Sequence, residues 1–378
     1  MATPLRICFV GLDALPVLAP EYEHHRIGGE QVQQTLLART LARRGYDVSM
    51  LVYDYGQMDG QRWDGVTTHR TFAESRGLPL LRFLHPRWTG LVRAARRADA
   101  DVYYLSCAST QVGQMALFAR RHGRKLLFRA ASDADCDPQR LLIRYWRDKK
   151  LYEYGLHRAD AVLVQSVTQQ EAMRRNYGVD STVAGMLVEE PSTLAEFAAR
   201  DIAVLWVSNI RQVKRPDRML EFARTTPEVN VHMVGGRLPD AGELYDLVQQ
   251  QSAQTANLSF HGQLAYRPTF QLYGRARVFA NTSDVEGFPN TYLQSWRNGT
   301  PVVGYFDPDG LIAREGLGVA VDNLDDMRAA IRRLISDPVE WQQCSARCLE
   351  FMEREFGTEK VLRPYLSAID AVSGGRAP

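Results

Sequence analysis

At 378 residues the chain exceeds one ordinary domain, so two domains, each with its own core, are the expected arrangement. Apolar residues at 45% and charged residues at 24% are those of an ordinary soluble globular protein, and no uninterrupted apolar window reaches the ~18 residues of a membrane span. A net charge of +2 excludes a bulk nucleic-acid binder, yet residues 1–190 hold 26 Lys and Arg against 21 Asp and Glu, and the remainder 20 against 23. The first half therefore has room for an anionic partner on its surface.

The N-terminal run "RICFVGL" reads as a first strand and not as a signal peptide. "DVSMLVY", "DVYYLS", "KLLFRA" and "AVLVQS" follow as strand-like runs, alternating with helical patterns in "EQVQQTLLARTLARRG", "QVGQMALFARRHG" and "TQQEAMRRNYG". Helices that end in basic residues followed by Gly carry a stop signature. The periodicity weakens over 189–201 and then restarts with "AVLWVSNI", "VNVHMVGG", "LSFHG", "ARVFANTS" and "TPVVGYF", separated by helices such as "PDRMLEFART" and "GELYDLVQQQSA". From "VEWQQC" to "AIDAV" the chain reads as helical throughout and is expected to pack back across the first domain. The pattern is α/β: two doubly wound, Rossmann-like parallel sheets facing a cleft, with boundaries at 1–192, 193–355 and 356–378.

Five cysteines, none in a CxxC pair, make a disulfide framework or zinc knuckle unlikely and point to a reducing cytoplasm; Cys8 is a core residue and Cys344/Cys348 lack further metal ligands.

In open parallel sheets, ligands sit beyond the carboxyl ends of the strands, so the residues there are the candidates. The first long loop ends in Gly28 and Gly29 before a helix, where backbone N–H groups can approach an anion. A G-x-G-x-x-G fingerprint is absent, which counts against a dinucleotide-dependent dehydrogenase. In the second half "VSNIRQVKRPD" brings Arg211 and Lys214 to a helix start marked by Pro216, "MVGG" puts Gly235 and Gly236 at a strand end, and "SFHGQL" does the same with His261 and Gly262. "SDVEGFPNTYLQSW" holds Glu286 before a tight turn at Gly287 and a helix preset by Pro289, whose free amides at Asn290 and Thr291 suit a diphosphate.

In this order, "LARRGYDVSMLV", "YGLHRADAVLVQS", "VSNIRQVKRPD", "VGG", "FHG" and "NTSDVEGFPNTYLQSW…GTPVV" resemble family-4 glycosyltransferases over nearly the whole chain, most specifically across 281–303. The resemblance implies a retaining, metal-independent hexosyltransferase of GT-B fold that needs no cofactor beyond its nucleotide-sugar substrate. It places Glu286 beside the donor sugar, Lys214 on the phosphates with Arg211, and Gly29 toward the diphosphate from the first domain. Gly262, Gln263 and Leu264 are implied to contact the base. Gly235 and the turn of Gly287, Phe288, Pro289, Asn290 and Thr291 complete the donor set. Two positions depart from the family pattern: Asn209 stands where a basic residue is usual, and Gln294 stands where a second glutamate usually meets the ribose. Glutamine keeps an acceptor but loses charge assistance, so the expected loss is in donor affinity rather than chemistry.

The acceptor is expected to be a glycan or lipid-linked glycan of polysaccharide or glycoconjugate biosynthesis, with UDP- or GDP-sugar as donor and no nucleic acid involved. Asp133 and Asp135 in "FRAASDADCD", and His24 and His25 near the glycines, are the acceptor-side candidates, each weighed against a plain surface loop. "LRFLHPRWTGLVRAARR" and "RLLIRYWRDKK" read either as solvated helix faces or as surfaces for peripheral attachment to the inner face of an anionic membrane. Epimerase and phosphorylase readings of the same fold lack their own acid pair and cofactor lysine. A binding subunit that has lost turnover stays open on the strength of Asn209 and Gln294.

Overall fold

Short runs apolar on both faces form strands because only a doubly covered sheet hides them, and parallel strands need helical crossovers between them. The computed structural model describes residues 4–375 apart from residues 23, 24, 26, 76, 78–80, 239, 240 and 287. The chain divides into one unit of Met1–Leu187 with Thr358–Pro378 and a second of Val188–Gly357.

The first unit is built on an eight-stranded sheet of β1 (Arg6–Val10), β2 (Asp47–Val52), β3 (Arg62–Trp63), β4 (Val66–Arg70), β5 (Val102–Ser106), β6 (Lys125–Arg129), β7 (Ala161–Val164) and β8 (Thr182–Val183). Its order is β3-β4-β2-β1-β5-β6-β7-β8, with only the β3–β4 pair antiparallel. Cys8, Tyr103, Met115, Phe128 and Tyr152 lie in its buried core. The helices Thr110–His122 and Val167–Tyr177 stop at Gly123 and Gly178, both left-handed with φ near 60° (62° and 65°), a conformation that favours glycine. The strand order reverses between β1 and β5, and the helix Gly29–Arg43 leaves β1 at that switch point.

The second unit carries a six-stranded, all-parallel sheet of β9 (Ile202–Val207), β10 (Val231–Val234), β11 (Leu258–Phe260), β12 (Ala276–Asn281), β13 (Val302–Gly304) and β14 (Gly318–Ala320), in the order β11-β10-β9-β12-β13-β14. Trp206, Phe222, Met233, Val278 and Ile331 fill its core. Each such side chain contributes about 1.5–3 kcal/mol relative to exposure. Here the order reverses between β9 and β12.

The long C-terminal helical pattern is two helices, Pro338–Phe356 in the second unit and Thr358–Ser373 in the first. Gly357 interrupts it in an extended conformation (φ −55°, ψ 134°), which no periodicity of apolar residues signals. Tyr365 of the last helix donates from its hydroxyl to the Gly185 carbonyl at 2.8 Å, and Val361, Leu362 and Ile369 are buried.

Candidate active site

The two strands at the second switch point bring Lys214 and Glu286 together. After β9 the chain makes a short turn, Gln212–Lys214, and enters the helix Pro216–Thr225; after β12 it runs through Thr282–Phe288 into the helix Asn290–Arg297. Lys214 Nζ lies 2.5 Å from Glu286 Oε2, and both side chains are mostly buried, at 22% and 13% exposure. The other carboxylate oxygen, Oε1, accepts from Ser283 Oγ at 2.7 Å and from Asn281 Nδ2 at 3.4 Å. Asn281 in turn accepts the Ser283 amide at 2.9 Å. Glu286 is thus held on both oxygens, by a cation on one side and by polar groups from the end of its own strand on the other.

The two turns are also tied by backbone. The Asp284 amide donates to the Val213 carbonyl at 3.0 Å, and Thr282 Oγ1 donates to the Lys214 carbonyl at 2.8 Å while accepting from the buried Trp206 Nε1 at 2.9 Å. Arg215, next to the lysine, adopts a left-handed conformation (φ 49°, ψ 54°) that costs about 1 kcal/mol for a residue with a Cβ. Its guanidinium pairs with Asp217 at 2.7 Å and Asp284 at 3.4 Å, and Arg218 reaches Asp284 at 2.8 Å. These ion pairs hold Arg215 where the turn needs it.

Pro289 is the N-cap of Asn290–Arg297 and makes no side-chain cap bond, and the positive end of the helix dipole lies there. Phe288 is exposed and its ring sits 6.1 Å from that of Phe356; Gly287 lies outside the described residues. Gln294 is half-buried on the same helix, and its carbonyl accepts from Asn298 Nδ2 at 2.8 Å.

At the neighbouring strand ends, Gly235 donates to the Gly262 carbonyl at 2.9 Å, and a Cβ on Gly235 would stand 2.5 Å from the Ser208 carbonyl oxygen, so the backbones meet too closely for any other residue. A Cβ on Gly236 would approach Gln263 Oε1 at 3.0 Å and Asn209 Oδ1 at 3.3 Å, so Asn209, Gly236 and Gln263 converge at the ends of β9, β10 and β11. Leu264 is half-buried beside them. Arg211 is exposed and, with Arg237, Glu243, Leu244 and Asp246, lines a pocket of about 920 Å³ whose wall does not include Lys214 or Glu286.

In the first unit, Gly29 opens its helix with Gly28 extended at the N-cap. The His25 ring lies 4.6 Å from Tyr55; His24 lies outside the described residues. Asp133 is exposed and accepts from Gln169 Nε2 at 2.9 Å. Asp135 is buried and caps its own turn, accepting from the Ala131 amide at 2.7 Å and the Ser132 amide at 3.2 Å, and burial raises its pKa. Among the described residues no three His, Cys, Asp or Glu side chains gather as metal ligands.

Sequence reasoning found Lys214, Glu286 and the helix start but missed Asn281, Thr282 and Ser283, which hold them. The signal was present in "NTS", three short polar residues ending a buried strand, where side chains bond readily to nearby backbone.

Two Rossmann-like units with these parallel sheets are the GT-B fold of glycosyltransferases. The chain belongs to the group 1 glycosyltransferases: residues 28–184 match the model of the glycosyl transferase 4-like domain, and residues 201–337 match that of glycosyl transferases group 1. It is similar, at 28% identity over 124 residues, to the Escherichia coli O-antigen biosynthesis glycosyltransferase WbnH; that stretch is 32% of this chain and 34% of the relative. In fold it resembles sucrose-phosphate synthase of Thermosynechococcus elongatus (TM-score 0.71, 16% identity, 97% of this chain and 98% of that one). HepE of Anabaena, solved with UDP and glucose, is similar at TM-score 0.67 and 13% identity over 97% and 99% of the two chains. The lipopolysaccharide outer core galactosyltransferase WaaB is similar at TM-score 0.59 and 18% identity over 96% and 98%.

Proposed function

We propose that the chain transfers a hexose, with retention and without a metal ion, from a UDP- or GDP-sugar to a hydroxyl of a glycan or lipid-linked glycan in cell-surface polysaccharide biosynthesis at the cytoplasmic face of a membrane. The observation that carries this reading is the Lys214–Glu286 pair at 2.5 Å, set beside a helix whose first turn has no side-chain cap. The likeness to WbnH, named for O-antigen biosynthesis, and to HepE, solved with UDP and glucose, supports it.

In this reading the sugar–phosphate C–O bond breaks ahead of attack, and the leaving diphosphate gathers negative charge. Lys214, once drawn from Glu286, and Arg211 stabilise that charge as it forms, together with the amides of Asn290 and Thr291. Glu286 lies at the donor sugar and accepts its hydroxyls. The acceptor hydroxyl forms the new C–O bond on the face the phosphate vacates and gives its proton to the departing phosphate oxygen. Gln294 meets the ribose and Asn209 the phosphates, each more weakly than a charged residue would. On the acceptor side Asp133 and His25 are the contacts; Asp135 shapes the Asp133 turn through its own cap.

Incubation with UDP-, GDP- and dTDP-sugars, with and without EDTA, tests the proposal. Nucleotide release from one donor, undiminished by EDTA, with the anomeric configuration of the product unchanged by NMR, is the expected result. Tight nucleotide binding with no release under any acceptor overturns it in favour of a binding subunit of the same fold.

A further inference from the structure

The two basic-aromatic stretches are neighbours in the first unit, meeting at Phe83 and Arg147, 64 residues apart in sequence. The Arg147 guanidinium carbon sits 3.7 Å over the centre of the Phe83 ring. Phe83 belongs to the wide helical turn Phe83–Trp88 that leads into the helix Thr89–Ala98, and its ring meets Trp88 edge-on at 5.6 Å. Arg147 lies in the first turn of the helix Trp146–Leu156.

Around this contact the apolar side chains point the wrong way for a protein surrounded only by water. Leu141 is buried and Ile143 packs on the core, which turns Leu142 between them outward to 90% exposure; Trp146 is 78% exposed. Leu81 and Leu84, one turn apart beside Phe83, are 59% and 58% exposed. Scattered apolar residues on a surface need no explanation, but a group that joins two segments and includes a nearly naked leucine and tryptophan marks an interaction surface.

The charges say what covers it. Arg82, Arg140, Arg144 and Lys150 are exposed around the apolar group, and Arg147 joins them. The nearby acids are already engaged, Asp148 by Arg147 at 2.9 Å and Glu153 by Lys150 at 2.7 Å. A second copy meeting this face with the same face would bring these cations together, which disfavours a symmetric dimer. A bilayer with anionic headgroups complements the cations, while Leu and Trp side chains enter its interface. Among the described residues no helix is long and apolar enough to cross a membrane, so the contact is peripheral.

We propose that residues 81–88 and 140–150 form one docking face for an anionic lipid bilayer, with Leu142 and Trp146 inserted and Arg82, Arg140 and Arg144 on the headgroups. The proposal deepens the reading of the acceptor as lipid-linked, because it brings the first unit to the surface where such an acceptor lies.

Co-sedimentation of the whole chain with vesicles of phosphatidylcholine alone, and of equal parts phosphatidylcholine and phosphatidylglycerol, tests it without donor or acceptor. Expected is partitioning onto the anionic vesicles only, weakened at about 0.5 M salt, where screening shortens to a few Å. Each charge reversed in an Arg140→Glu, Arg144→Glu variant should lower the partition coefficient about fivefold or more. A Leu142→Ser, Trp146→Ser variant should lower it about tenfold or more by removing the inserted side chains. All four positions are exposed, and an unchanged melting curve checks that the fold is kept. Equal partitioning of wild type and variants, equal binding to neutral vesicles, or no binding overturns the proposal. So does a solution dimer that the Leu142→Ser, Trp146→Ser variant abolishes, which would assign the face to a second copy. The assay reads attachment and not turnover, so its failure leaves the transferase reading standing, and failed nucleotide release leaves this one standing.

Discussion

Lys214 Nζ and Glu286 Oε2 stand 2.5 Å apart although 72 residues separate them in sequence. Each neutralises the other before any ligand arrives, so a donor diphosphate that recruits the lysine must loosen this pair. Glu286→Gln keeps an oxygen for Ser283 to donate to but ends the charge pairing. Initial-rate assays of nucleotide release should show turnover lower by about 10²–10³ with the melting temperature little changed. Near-native rates in this variant would remove Glu286 from the donor site.

Gln294→Glu restores a carboxylate on the half-buried face of Asn290–Arg297. Charge-assisted hydrogen bonds are about twice as strong as neutral ones, so titration calorimetry should find UDP or GDP bound several-fold more tightly, with kcat nearly unchanged. A change in kcat at constant affinity would place Gln294 in the chemistry instead.

Glu30, in the first turn of Gly29–Arg43, has its pKa pushed up to about 7, chiefly by burial; Asp13 adds to the rise, while Gln34, Ser106 and Arg129 oppose it. The unfolded carboxyl titrates near its ordinary value, so between about pH 4.5 and 7 the native state holds the proton more tightly. Stability from this group is therefore full at low pH and falls as pH rises through 7. Glu30→Gln should escape that fall. Urea melts should give the variant a gain over wild type larger at pH 8 than at pH 5, by on the order of 2 kcal/mol. An equal difference at both values would contradict it.

Arg200 is buried at the foot of β9 and donates to the Ala276 carbonyl at 2.7 Å, the Asn298 carbonyl at 2.7 Å, Thr300 Oγ1 at 2.7 Å and the Ala195 carbonyl at 3.0 Å. Burial lowers its pKa to about 10. Arg200→Met fills the space but leaves these acceptors unpartnered, so chemical denaturation should show a loss of about 3–5 kcal/mol.

Most strands of both sheets were legible because a parallel strand covered on both faces is a continuous apolar run, as "AVLV" and "IAVLWV" are. β3, β8 and β14 were not, since two or three residues such as Arg62–Trp63, Thr182–Val183 or Gly318–Ala320 carry no period. Nor was β4, whose "VTTHR" mixes polar residues into an outer strand. Within the site, Glu286 and Lys214 stood out through the resemblance and the helix-start chemistry around them. Their contact was not legible, because it is made by strand order: β9 and β12 are neighbours in space with two strands between them in sequence. The break at Gly357 escaped for a different reason, since helical apolar spacing resumes within a residue of it.

The bonds from Asp284 to Val213 and from Thr282 to Lys214 make two crossovers one mechanical part. In the proposed reading, donor selectivity is therefore not a module carried by a single loop. A graft that replaces 282–297 with the equivalent segment of a relative, and leaves 209–218 behind, separates an acid from the turn that aims its cation. Re-engineering the donor means moving both stretches together, and a chimaera built at only one of them should fold around a misregistered site.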